Sequence, residues 1–276
     1  MLRKEGSDTL NSFILELDSL SYSINQKKLI DRISVKIAKG DIVSIIGPNG
    51  SGKSTLVKLI SREILPSSGA IIFNGKNNND WSASELALSR SALSQSSHLS
   101  FSFSVLDIIR MGFYPLEALG LRRNDDVINK LLKIFDLEGY SNRIYTTLSG
   151  GEQQRVQLAR VIAQIWSEGS FEEKLLILDE PTSYLDIKHQ AELFNYLNKL
   201  NKRGLTIVMV LHDINHAIQK SNKIIMLKNS RLIDYSESGE LAASKKINEV
   251  FDIDSTLLYN KELTKPIVFL KDKERL

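Results

Sequence analysis

The chemistry most legible in this chain is phosphate binding. Residues Gly47 to Thr55 read GPNGSGKST and follow directly on the apolar run IVSII. Gly47, Gly52, Lys53 and Ser54 stand at the spacing G-x-x-x-x-G-K-[ST], in which glycines let backbone N–H groups converge on phosphate oxygens. The helix expected after Gly52 would turn its positive end to the same anion. Lys53 is expected to reach the terminal phosphates and the Ser54 hydroxyl to bind Mg²⁺. The whole stretch, including Pro48, Asn49, Gly50, Ser51 and Thr55, is expected to wrap the nucleotide. Chance alone would produce the four fixed positions in about one chain of this length in a hundred.

A second apolar run, LLILDEP from Leu175 to Pro181, ends in adjacent carboxylates. A buried parallel strand delivers its C-terminal end to the ligand edge of a sheet, where the glycine loop also belongs. Asp179 is then placed for the Mg²⁺ shell and Glu180 for polarising a water. Ser149 and Glu152 form the S-x-x-E of a helix-capping box, with Gly150 and Gly151 leaving the helix start open to an anion. Val156, Ala159, Ala163 and Trp166 mark the expected buried stripe of that helix. His212 and His216 stand at i and i+4, as in helical zinc sites, but Asp213 replaces the glutamate of that motif and His212 follows on a strand-like run. His98, His189 and His216 read as ordinary loop, surface or helix residues.

These residues need strands and helices to hold them. Alternation in FILELDSLSYSI and DRISVKIAKGDIVSII predicts several short strands between Phe13 and Ile46, turning at Lys39-Gly40-Asp41. SGAIIFNGKN predicts a hairpin turning at Asn74-Gly75. From Ser96 to Leu148 the pattern is helical, with Val127, Leu131, Ile134 and Phe135 on one face of DDVINKLLKIFDLEGY. Beyond it, LLILDE and TIVMVLH alternate with helical HQAELFNYLNKLNK, which is βαβ logic and a largely parallel sheet. A helix DINHAIQKSN, a hairpin KIIMLKNSRLIDY turning at Asn229-Ser230, and a strand PIVFL complete the pattern.

Composition narrows the class. The 276 residues carry 42% hydrophobic and 25% charged side chains, ordinary globular usage. The net charge of +3 arises from 36 basic and 33 acidic residues, without the clustered basic stretches of a nucleic-acid binder. No cysteine is present, which leaves no thiolate metal site, disulfide or thiol nucleophile and fits a reducing compartment. The first residues do not read as a signal peptide, since acids interrupt any apolar run. The longest apolar runs fall far short of the roughly 20 residues needed to cross a bilayer.

LSGGEQQRVQLARVIAQ, beginning at Leu148, resembles the signature sequence of the ABC ATPase family. The family's other marks follow in order, and what they imply is carried over residue by residue. The fold is an α/β P-loop NTPase (RecA-like) core with an antiparallel β-subdomain and an inserted α-helical subdomain. One ABC ATPase domain would fill 1–276, with the β-subdomain and P-loop core at about 12–95, the helical subdomain at about 96–158, and core continuation and C-terminal elements at about 159–276. Tyr22 resembles the aromatic residue that stacks on adenine. Gln95 resembles the glutamine that touches Mg²⁺ and water, Ser183 to Asp186 the loop that crosses to the other subunit, and His212 the switch histidine on the γ-phosphate.

The resemblance implies ATP and Mg²⁺ as ligands, with Glu180, His212 and Gln95 catalytic and Ser54, Gln95 and Asp179 on the metal. It also implies a head-to-tail homodimer in which Ser149, Gly150, Gly151 and Glu152 reach the opposite subunit's ATP. The partners would be a two-copy transmembrane permease and, indirectly, a periplasmic or surface haem-binding protein, with no nucleic acid. The place would be the cytoplasmic face of the cell membrane, peripherally. DWSASELALSRSALSQ from Asp80 and LSFSFSVLDIIRMGFYP from Leu99 are similar to ATPases of bacterial haem importers, a branch that also serves vitamin B12 and iron-siderophore uptake. Phe101, Phe103 and Phe113 are either a permease-docking surface or local core. A two-cassette ribosomal ATPase, a DNA-repair ATPase with a coiled-coil insertion, and a P-loop small-molecule kinase each lack support in this pattern.

Overall fold

The computed structural model describes residues 12–94, 101–120, 125–243, 246–260 and 262–271. Gln95 and His98 lie outside the described residues.

The chain opens with β1 (Phe13–Ile24) and β2 (Lys27–Ala38), then β3 (Ile42–Ile46), α1 (Lys53–Ile60), β4 (Ser68–Phe73), β5 (Lys76–Asn77), α2 (Ala83–Ser89) and β6 (Arg90–Leu93). The helices α3 (Val105–Met111), α4 (Tyr114–Glu117), α5 (Asp125–Ile134) and α6 (Gly150–Gln164) follow. The chain then alternates through β7 (Leu175–Asp179), α7 (Ile187–Asn201), β8 (Thr206–Val210) and α8 (Ile214–Lys220). It closes with β9 (Lys223–Lys228), β10 (Arg231–Glu237), α9 (Ser238–Ala243), α10 (Lys246–Phe251), β11 (Ser255–Leu258) and β12 (Ile267–Leu270).

The expected short strands before Ile46 are two long ones, β1 and β2, in an antiparallel sheet ordered β2-β1-β4-β5, with β3 in a different sheet. The turn at Asn74-Gly75 lies where expected, with φ of 47° and 75°. The second sheet, ordered β10-β9-β3-β8-β7-β6, is parallel from β9 to β6, and β10 returns antiparallel through the Asn229-Ser230 turn. Its central strands are buried and mostly apolar on both faces. In β7, Leu175 and Ile177 join the core under the antiparallel sheet and α1, whereas Leu176 and Leu178 join the core under the helices. Such double burial is why the run reads as continuous rather than alternating.

Several boundaries differ from the sequence reading. The helix at Asp125 stops at Ile134, because Asp136 takes a left-handed φ of 53°. Trp166 lies past the end of α6 rather than on its stripe. Phe113 is core, Phe103 is packed against that core, and Phe101 is 71% exposed. The short strand β6, Arg-Ser-Ala-Leu, is held in register by β7 and by buried Arg90, whose burial lowers its pKa to about 10. Arg90 donates to the Ile60 carbonyl at 2.6 Å, to Asn78 Oδ1 at 2.9 Å and to the Ser61 carbonyl at 3.1 Å. Arg90→Ala would orphan three acceptors, and we expect chemical denaturation to register a loss of about 3 kcal/mol.

Candidate functional site

Parallel pairing of β3, β8 and β7 sets three chain ends side by side. Ile45 is opposite Val210, and Val210 is opposite Asp179. The residues just beyond these partners, Gly47, His212 and Glu180, therefore emerge at one edge of the sheet.

The loop after β3 needs its glycines. Gly47 has φ of 154°, and a Cβ there would stand 2.2 Å from the Leu227 carbonyl oxygen. Gly52 has φ of 105°, and its Cβ would stand 2.5 Å from the Leu29 carbonyl oxygen. No side chain caps α1, whose N-cap is Gly52, so the first-turn N–H groups face the loop without a side-chain acceptor. Lys53 is buried and donates to the carbonyls of Gly47 at 2.8 Å and Pro48 at 3.1 Å. Burial pulls its pKa down, while Glu180 and Asp179 pull it up.

At the end of β7, burial raises the pKa of Asp179; Glu180 adds to the rise, and a hydrogen bond from Ser54 opposes it. Asp179 Oδ1 is buried without a hydrogen-bond partner. A carboxylate oxygen left bare next to a serine hydroxyl is a donor set suited to a hard divalent cation. Glu180 holds φ of 52°, a conformation a non-glycine residue keeps only under constraint. Its Oε1 lies 2.6 Å from His212 Nε2, and its Oε2 accepts from Ser183 Oγ at 3.3 Å. His216 points elsewhere, its ring 5.3 Å from that of Phe194, and Asp213 caps α8. Tyr22 pairs with Ile30 across β1 and β2, and Ile30 Cδ1 approaches the Cβ position of Gly52 to 3.0 Å. That sets Tyr22 on the flank of the glycine loop.

Ser149 and Glu152 form the expected capping box: Ser149 N–H donates to Glu152 Oε2 at 2.7 Å, and Glu152 N–H donates to Ser149 Oγ at 3.4 Å. These bonds hold the Glu152 carboxyl below the usual range. Among the described residues no hydrogen bond or ion pair joins 149–152 to 47–55. The start of α6 packs instead on the loop after Glu180: Gln154 Nε2 donates to the Pro181 carbonyl at 3.2 Å, and a Cβ on Gly151 would stand 2.7 Å from the Tyr184 carbonyl oxygen. The sequence reading missed this packing, and it missed His189, which is bonded to both Asp186 and Arg155. The i, i+3 spacing of Asp186 and His189 is the signal that could have drawn attention to it.

The family described as ABC transporter matches residues 30–183 of this chain. The chain is 35% identical over 258 residues to the Hemin import ATP-binding protein HmuV of Escherichia coli O157:H7, covering 93% of this chain and 99% of that protein. It is 36% identical over 244 residues to the protein of the same name from Rhodopseudomonas palustris (strain ATCC BAA-98 / CGA009), covering 88% and 90%. Among solved structures it superposes on a chain of an inward-facing transporter assigned to the metal-chelate ABC type, with TM-score 0.75, 25% identity and coverage of 96% and 100%. It also superposes on cbiO1 from Clostridium perfringens, part of the ABC transporter complex cbiONQ, with TM-score 0.67, 28% identity and coverage of 86% and 94%.

Two glycines of the loop separate steric from conformational demand. At Gly50, φ is 77° and an added Cβ meets nothing within 4 Å, whereas at Gly47 it collides with backbone. Gly50→Ala should cost about 1 kcal/mol of unfolding free energy, and Gly47→Ala more than about 3 kcal/mol, as read by urea titration.

Proposed function

The chain belongs to the ABC transporter family as an ATP-binding and ATP-hydrolysing subunit, and from that premise we propose that it energises haem import through a separate membrane permease. The observation that carries the mechanistic part is the convergence of Lys53, Asp179, Glu180 and His212 at the ends of three adjacent parallel strands.

In this reading Lys53 and the N–H groups of Gly47 to Thr55 bind the β- and γ-phosphates, and Tyr22 stacks on the adenine. Ser54 and Asp179, with Gln95, would hold Mg²⁺, which supplies neutralisation of the phosphate charge. Glu180 accepts a proton from the water that attacks the γ-phosphorus in line with the β–γ bridging oxygen. That P–O bond breaks, and ADP and phosphate leave. His212 keeps Glu180 oriented and donates to a γ-phosphate oxygen.

The exposed start of α6, Ser149 to Glu152, needs a phosphate from another molecule. A two-fold head-to-tail pair supplies two such sites at once. Tyr184, 81% exposed, lies against that start, and covering it together with Ile187, 87% exposed at the beginning of α7, favours an apposed copy. The segment from Gln95 to Pro115, which leads into the helical subdomain, would carry the permease contact. Among the described residues no helix is long and apolar enough to cross a membrane; passage of cargo is assigned to the two-copy permease and the chain to the cytoplasmic membrane face. Haem as cargo rests on the relatives' printed names.

Glu180→Gln should retain ATP binding and sediment as a dimer in ATP and Mg²⁺, whereas Ser149→Arg should lower turnover at least tenfold without weakening ATP binding to one chain. A Glu180→Gln protein that stays monomeric counts against the paired arrangement. Reconstituted with its cognate permease in vesicles, the chain should drive ATP-dependent uptake of haem in preference to vitamin B12 or ferric siderophores. Preference for either of those would reassign the cargo and leave the ATPase role intact.

A further inference from the structure

The segment from Glu180 to Asp186 begins with the left-handed Glu180 and ends at the cap of α7. It contains a second left-handed residue, Tyr184, with φ of 65°. A segment carrying two such residues keeps one shape only if its surroundings over-determine it. Gln154 and Gly151 supply part of that constraint from α6. Gln190 of α7 donates to the Thr182 and Leu185 carbonyls at 3.4 and 2.9 Å, and His189 adds a tie between the end of the loop and α6.

Asp186 Oδ1 accepts the His189 backbone N–H at 2.9 Å, and the same oxygen lies 2.8 Å from His189 Nδ1. On the other side of the ring, Nε2 lies 2.7 Å from Arg155 Nη1. A guanidinium has no acceptor, so Nε2 must accept; a carboxylate has no donor, so Nδ1 must carry the proton. The two contacts together specify one neutral tautomer. The ring is 19% exposed and the Arg155 side chain 10%. Asp136, in the turn after α5, faces the pair from a third side, its Oδ2 3.3 Å from Arg155 and 3.7 Å from His189 Nε2. Lys188 and Glu192 on α7 pair with each other at 3.8 Å.

We propose that His189 is a positioning residue for ATP hydrolysis: neutral, with its proton on Nδ1, it pins Arg155 of α6 to Asp186, so that the helix start at Ser149 and the loop beginning at Glu180 form one rigid surface. This rests on the reading above, in which both features face the second copy's nucleotide. Rigidity matters there because donors displaced by even about 1 Å lose most of their effect on a developing charge. Asp186 could cap α7 without any imidazole, so capping alone does not account for the bond to Arg155.

Two measurements on the full chain test this. Nitrogen-15 correlation spectra of the four histidine rings, with His189→Gln for assignment, should show His189 at neutral pH with Nδ1 protonated and Nε2 bare. The opposite tautomer, or a charged ring, overturns the proposal. In steady-state hydrolysis His189→Ala should lower kcat about tenfold, leave the KM for ATP within about twofold, and keep cooperative thermal unfolding. His189→Gln, whose amide can still accept from Arg155, should recover part of the loss. A kcat within twofold of the parent for His189→Ala overturns the proposal, as does an equal loss in both variants. Dimerisation of Glu180→Gln is read separately: if it fails, the paired arrangement falls, whereas the tautomer and the kcat ratio still decide the tie between α6 and the loop.

Discussion

Parallel register is the constraint on which the site depends. Because β8 lies between β3 and β7, one pairing frame fixes where three chain ends emerge. A slip of one residue in β7 would turn Leu176 and Leu178 into the other core and carry Asp179 and Glu180 with them. Burial on both faces makes such a slip costly, since every residue of β7 and β8 is buried. The groups at this edge inherit their precision from apolar packing beneath them.

At the edge so defined, opposite electrostatic demands coexist. Asp179 is buried enough for its carboxyl to resist ionisation, and Lys53 is buried enough to resist protonation. Each is the other's partial remedy, and Glu180 works against the first while helping the second. A polyphosphate and a divalent cation would relieve both at once, which is the electrostatic argument for the proposed nucleotide site. Glu180 makes its bonds elsewhere. With its backbone left-handed, its side chain meets His212 just beyond β8 and Ser183 in the following loop.

How much of this was legible in the sequence divides along local and non-local lines. The glycine loop, the carboxylate pair and the capping box are local: their residues touch within a few positions, and spacing alone placed them. The α/β core with an inserted helical part followed from the same run of strands and helices. What spacing could not show was contact between distant segments. Nothing near Arg90 in sequence predicts that its guanidinium would hold the Ile60 and Ser61 carbonyls and so anchor the four-residue strand it begins. His189 looked like a helix-surface residue because its partner Arg155 lies 34 positions earlier. Gln95 had a clear expected role, but it lies outside the described residues.

The packing of α6 on the loop after Glu180 changes what the signature helix means mechanically. If that helix belonged only to the helical subdomain, its glycines would move with whatever the subdomain docks against, independently of the carboxylate of Glu180, the proposed base. Gln154, Gly151 and Arg155 instead fasten it to residues 181–189, which begin beside Glu180. A displacement of α6 is therefore felt at Glu180 through a short, bonded path rather than through the whole core. Under the proposed pairing, the surface that completes the neighbour's pocket is thus also the surface that reports on this chain's own hydrolysis. That gives two nucleotides a physical means to influence each other, because each helix start that closes on one is tied to the acid that acts on the other.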